Sequence, residues 1–138
     1  MNKYDVLSDL DLIVDDDNAK NVASWIAALS DGEYLSKFNY TEEAVNDAVD
    51  ALERLNSRID FVVSDGKGVI YACLNGFDNL VKTLTDYMED DATRDTDARY
   101  NVRAYIPFSC NALIVCEEPA RDALDDLDIY QLICLLKL

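Results

Sequence analysis

Apolar residues recur along this chain with two periods, and the switches between them outline the fold. Val22, Ile26 and Leu29, with Trp25 beside them, fall at helical spacing over 18–30, and Asp31-Gly32 ends that run. Thr41 is placed to cap a second helix over 42–57, where Glu42 and Glu43 suit the positive end of the helix dipole. Val45, Ala48, Val49 and Leu52 give that helix one apolar face, and Glu43, Asp47 and Asp50 lie opposite. The period then becomes two. Ile59, Phe61 and Val63 alternate as a strand, Asp65-Gly66-Lys67-Gly68 turns the chain, and Val69 to Leu74 returns as a second strand.

A third helix is expected over 76–90, with Phe77, Leu80, Val81, Leu84 and Met88 on one face. The polar stretch Asp90 to Asp97 reads as a loop. Tyr100, Val102, Ala104 and Ile106 alternate as a third strand, and Pro107 to Asn111 turns the chain again. Ala112 to Cys116 reads as a fourth strand, apolar on both faces and so expected at the centre of the sheet. Pro119 opens one helix or two over 119–137, with Leu124, Leu127, Leu132 and Leu136 as apolar positions. The order α-α-β-β-α-β-β-α, two hairpins separated by a helix, predicts an α+β fold. The expected architecture is one four-stranded antiparallel sheet with helices packed mainly on one face. The acidic segment 1–17, with its small apolar insert, receives no element. At 138 residues, with four Gly, two Pro and no internal repeat, the chain reads as one acidic globular domain over 1–138.

Charge changes this picture from a generic α+β chain to an unusual one. Twenty-eight Asp and Glu stand against twelve Lys and Arg, for a formal net charge of -16, and there is no His. Half of the residues are hydrophobic, which is enough to build a core despite that charge. Without His, the usual general base near neutral pH and the commonest metal ligand are both missing. Twenty-one of the acids are Asp, whose short side chain holds charge close to the backbone. Such a surface is repelled by nucleic acid and by anionic lipid. It suits a basic protein as partner, with no direct contact to nucleic acid or membrane.

The motifs of this chain do not assemble familiar chemistry. Cys73, Cys110, Cys116 and Cys134 form no C-x-x-C pair, and with no His they supply no common zinc set. Three of them, Cys73, Cys116 and Cys134, lie in apolar runs and are expected as buried free thiols. The run from Asp15 lacks a ligand at Ala19, and the run from Asp91 has Thr96 where a calcium-binding loop needs Gly. Asp65-Gly66-Lys67 has the acid-x-Lys spacing of metal-dependent nucleases, but reads better as a hairpin turn with Gly66 and Gly68 at positive φ. No phosphate-binding loop is present, and Ser109-Cys110 has no His to activate it. No enzyme, cofactor or metal is therefore expected. Met1-Asn2-Lys3-Tyr4-Asp5 lacks the apolar run of a signal peptide, so a cytoplasmic location is expected, in the host cell if the gene is phage-borne.

The acids are clustered. Glu43, Asp47 and Asp50 line the second helix, and Asp86, Glu89, Asp90, Asp91, Asp95 and Asp97 crowd the end of the third helix and its loop. These nine are the candidate partner-binding residues. Tyr34, Tyr40, Tyr87 or Tyr105 could add contact area. Acids at a helix C-terminus oppose the macrodipole at up to about 1 kcal/mol each, so their placement points to a use other than stability. Sixteen charges match those on roughly 27 Å of duplex DNA, at about 1.7 Å per charge. A compact domain of this length spans about 35–40 Å, from a radius of gyration of roughly 14 Å. In size and charge, though in no motif, the chain is similar to phage and plasmid proteins that mimic DNA. Such proteins block restriction, CRISPR or other nucleic-acid enzymes. The function expected is thus a non-enzymatic inhibitor that occupies a basic nucleic-acid-binding surface. Beside the plainer reading that the acids serve only solubility or salt adaptation, two alternatives stay open. One is an immunity protein or antitoxin that neutralises a basic toxin. The other is a structural or adaptor domain that dimerises through the apolar end Ile129–Leu138.

Overall fold

The computed structural model describes residues 2–10, 21–31, 38–96, 98–106 and 112–138. These form two compact units, Asn56–Asp128 and, from the two ends of the chain, Met1–Leu55 with Ile129–Leu138. The elements are α1 (Lys3–Ser8), α2 (Val22–Leu29), α3 (Glu42–Arg58), β1 (Asp60–Ser64), β2 (Ile70–Asn75), α4 (Phe77–Thr93), β3 (Arg99–Tyr105), β4 (Ala112–Pro119), α5 (Ala120–Asp126) and α6 (Ile129–Leu136). The class is α+β as expected, with the strands in one antiparallel sheet of order β2-β1-β3-β4.

In the first unit, α1 is a helix that apolar periodicity did not reveal. A capping box starts it: the Asn2 side chain accepts from the Tyr4 and Asp5 N–H groups, and the Asp5 carboxylate accepts from the Asn2 N–H. Helix α2 begins at Val22, capped by the Asn21 side chain, which accepts from the Ser24 N–H at 2.7 Å. Its buried stripe is Val22, Trp25 and Leu29, so Trp25 belongs to the stripe and Ile26 is half-buried beside it. The expected start at residue 18 and stop at Gly32 lie outside the described residues. Helix α3 begins where Thr41 predicts, with the Thr41 Oγ1 accepting from the Ala44 N–H at 3.2 Å. Helix α6 packs on α1, with Tyr4 and Tyr130 edge to face at 6.3 Å. Ile129, Leu132, Ile133 and Leu136 are buried, so one face of the apolar C-terminal run is core, while Cys134 and Leu135 are exposed.

In the second unit, β1 sits inside the sheet between β2 and β3. Phe61 pairs with Leu74 on one side and Ala104 on the other, and Val63 pairs with Ala72 and Val102. These residues therefore share a face, on which Phe61, Val63, Val102, Ala104 and Tyr100 are buried. Helices α4 and α5 pack against the sheet and against each other. Phe77, Leu80 and Leu84 are the buried residues of α4, and Ala120, Ala123 and Leu124 those of α5. On the other face Asp60, Val62, Cys73, Asn75, Arg103 and Tyr105 are half-buried or exposed, and Asn101 is buried.

Two expectations are corrected here. Strand β4 is an edge strand rather than a central one. Apolarity along a strand reports burial of its faces, not the number of its neighbours, and the pairing of β1 with β3 leaves β4 outside. Cys73 and Cys134 are exposed thiols rather than buried ones. Cys73 falls on the accessible face because it pairs with Val62, not with Phe61. Cys134 lies on the outer side of α6, next to buried Ile133. Cys110 and the side chain of Cys116 are outside the described residues.

The β2-to-α4 junction depends on one glycine. Gly76 has φ 92 and ψ 152, and its N–H donates to the Ile59 carbonyl at 2.9 Å. A Cβ there would lie 2.8 Å from the Asn56 carbonyl oxygen. Asn56 in turn holds the first turn of α4, accepting from the Asp78 N–H at 3.2 Å and donating to the Asp78 carboxylate at 3.0 Å. Gly76→Ala therefore combines a backbone conformation worth about 1–3 kcal/mol of strain with a backbone clash. Urea denaturation should show a loss of at least about 2 kcal/mol; a loss below about 0.5 kcal/mol would contradict this junction.

Candidate functional site

The acids of α3 lie where the helical pattern places them. Glu43, Asp47 and Asp50 are exposed, at spacings of four and three that keep them on one side of the helix. They span about 10 Å at 1.5 Å per residue. This group belongs to the unit formed by Met1–Leu55 and Ile129–Leu138, and the second group belongs to Asn56–Asp128.

In the second group, α4 runs three residues further than its apolar face predicts, to Thr93. Asp90 and Asp91 therefore sit within the helix and not in a loop after it, while Asp95 lies just past the C-cap Arg94. Asp86, Glu89 and Asp90 are exposed over its last two turns, where the carbonyl ends concentrate negative potential. No basic residue lies in the last turn itself. Arg94, the C-cap residue, pairs with Asp90 at 3.4 Å, with both side chains largely in water. Among the described residues this is the one ion pair that touches either acidic group. Such a pair contributes only a few tenths of a kcal/mol.

Asp95 has a backbone role as well. It occupies the left-handed region at φ 51, the position after the C-cap where Gly is favoured. The Thr96 N–H donates to the Asp91 carbonyl at 3.0 Å and the Asp95 N–H to the Ala92 carbonyl at 3.3 Å, which closes the helix in a Schellman motif. The chain thus carries an acid where both the backbone and the helix dipole disfavour one. Asp97 lies outside the described residues.

Asp91 differs from its neighbours. It is half-buried, and its carboxylate accepts from the Tyr100 hydroxyl at 2.8 Å. Tyr100 also stacks on Tyr87 of α4 at 5.1 Å and meets the edge of Tyr71 at 5.7 Å. Asp91 is therefore an anchor of α4 to the sheet. Burial first, then the bond to the Asp91 carboxylate, pushes the Tyr100 phenol up from its ordinary value. Burial likewise raises Tyr87, with Tyr71 adding to it.

The tyrosines proposed as contact area divide. Tyr87 and Tyr105 are half-buried, Tyr40 stacks on Phe38 at 5.3 Å while donating to the Asp9 carboxylate, and Tyr34 lies outside the described residues. Tyr71, which the sequence pattern did not single out, is exposed. A bulge explains it. Val63 pairs with Ala72 and Ser64 with Ile70, so Tyr71 is an extra residue that breaks strand alternation and reaches Tyr100.

The acid-x-Lys stretch is a turn. The Asp65 Oδ1 accepts from the Lys67 N–H at 2.7 Å and the Val69 N–H at 3.0 Å. The Lys67 N–H is the main cause that holds the Asp65 carboxyl below its usual range. Among the described residues no group of three or more Cys, Asp and Glu is arranged to hold a metal ion, and no helix is long and apolar enough to cross a membrane. Two hollows mark the second unit. One of about 100 Å³ is bounded by Met88, Asp91, Thr96 and Arg121, and one of about 490 Å³ lies over Asp60, Val62, Cys73 and Tyr105. The chain matches no known protein family, no curated protein and no solved structure.

The Tyr100–Asp91 anchor has a pH signature. A phenol whose folded pKa is raised contributes stability that is complete below its unfolded value, near 10, and is lost as pH rises through the folded value. Tyr100→Phe should cost about 1 kcal/mol at pH 7, since it strips the donor from a half-buried carboxylate. It should then lose less stability than the parent between pH 10 and 11.5. Parallel loss in the two proteins over that range, followed by urea titration, would contradict the anchor.

Proposed function

We propose that the protein is a non-enzymatic acidic binding protein that occupies the nucleic-acid-binding surface of a basic protein. Its carboxylates stand in for phosphates. The observation that carries this reading is the end of α4, where Asp86, Glu89 and Asp90 are exposed and Asp95 takes a left-handed position. Each of these acids near the carbonyl end costs stability or at best leaves it unchanged. Solubility alone could be supplied by acids anywhere on the surface. Exposed carboxylates three and four residues apart recur every 5 Å or so along a helix, against one phosphate per about 3.4 Å along each strand of a duplex. A basic cleft shaped for duplex meets a similar charge density in such a helix. Glu43, Asp47 and Asp50 on α3 offer a second row of the same kind.

The partner class that fits is a nucleic-acid enzyme or complex, such as a restriction or CRISPR system. A basic toxin offers the same electrostatics, and the immunity-protein reading differs only in that toxin as target.

Capture on the immobilised chain, with elution by a salt gradient and separately by duplex DNA, tests the reading. A basic nucleic-acid-binding protein released by both is the expected result; a bound protein that duplex cannot release would contradict mimicry. Asp86→Lys, Glu89→Lys and Asp90→Lys together should weaken the captured complex at least 100-fold. Asp95→Gly should weaken it several-fold while raising folding stability by a few tenths to about 1 kcal/mol. Unchanged affinity in both variants would remove α4 from the interface.

A further inference from the structure

We propose that the outer edge of β2 receives an extended strand of the basic partner, which pairs with the β2 backbone and sets its Lys and Arg side chains against the acids of α4. This rests on the reading of the partner as a basic protein and adds how that partner is held.

The two edges of the sheet are treated differently. Strand β4 ends in Glu117, Glu118 and Pro119, and charges and a proline without an N–H are ordinary defences of an edge. Strand β2, Ile70–Asn75, carries no charge and no proline. Among the described residues it has β1 as its one neighbour. Val69, Ile70 and Tyr71 are 55%, 60% and 49% exposed, three consecutive large apolar side chains at an unpaired edge. An edge of this kind is a template for strand addition.

Charge selects the occupant. Residues 56–128 carry 15 acids and 7 bases, a net charge of -8. A second copy added edge to edge would bring like charges together. Helix α4 follows β2 directly and packs beside it. The bulge turns Tyr71 onto Tyr100, which also holds Tyr87 and Asp91 of α4. The exposed Tyr71 ring therefore adjoins the acidic end of the helix. A strand alternating apolar and basic residues meets both features: its apolar side chains cover Ile70 and Tyr71, and its cations reach the carboxylates or the Tyr71 ring face.

The test uses the full chain and a capped octapeptide of alternating Arg and Val, with an N-methylated version that keeps the side chains but cannot pair along one edge. Amide exchange followed by NMR should show at least tenfold added protection across residues 70–75 with the first peptide. The N-methylated peptide and the Ile70→Lys variant should each lower affinity at least tenfold. Equal affinity for the two peptides, or shifts confined to α4, would overturn the proposal in favour of charge attraction alone. Self-association in ultracentrifugation that Ile70→Lys abolishes would overturn it in favour of a second copy. If β2 stays unprotected while duplex still releases the captured partner, this inference fails and the mimicry reading stands. If β2 is protected but duplex releases nothing, the reverse holds.

Discussion

The part-buried hydrogen bond from the Tyr100 hydroxyl to Asp91 joins the two sides of this protein's chemistry. One side is a sheet face of Phe61, Val63, Val102 and Ala104 that must be covered. The other is a helix with acids over its last two turns. The apolar face of α4 closes the sheet, the Asn56–Asp78 bonds fix its start and Tyr100 fixes its end. With both ends held, the outward direction of Asp86, Glu89 and Asp90 is set by the helix alone. One acid of the helix, Asp91, is bonded to the sheet, while Asp86, Glu89 and Asp90 remain exposed.

That arrangement has a cost that core packing must offset. Acids near the carbonyl end of a helix, and an Asp in the left-handed position that closes it, each work against the fold by tenths to about 1 kcal/mol. A chain shaped for stability alone would place Lys or Arg in the last turn and Gly after the cap. Local rules are broken together at one place, and such places are where function is expected.

Much of the fold was legible because its long elements carry clear periods. Helices α3 and α4 and the alternation of β1 and β3 follow from apolar spacing, and Thr41 caps α3 as its residue type suggests. Helix α1 escaped because six residues hold less than two turns of pattern; its only signal was Asn2 three residues before Asp5. The edge position of β4 escaped because strand order depends on the pairing of β1 with β3, across about forty residues of chain. The acids of the candidate site were legible as residues but not as roles. Nothing local marks Asp91 as the acceptor for Tyr100 or Asp95 as the left-handed residue, since both depend on where α4 stops. Tyr71 was hidden for a related reason, a bulge that reverses the parity of its strand.

The central claim is that the acids of α4 and a nucleic acid compete for one surface. The most direct measurement adds the chain to its captured partner already loaded with labelled duplex, and follows the label by fluorescence anisotropy and the assembly by mass photometry. The account predicts that the label is released in proportion to the chain bound, and that no species holds all three components. A stable ternary complex, with the duplex still in place, would contradict it.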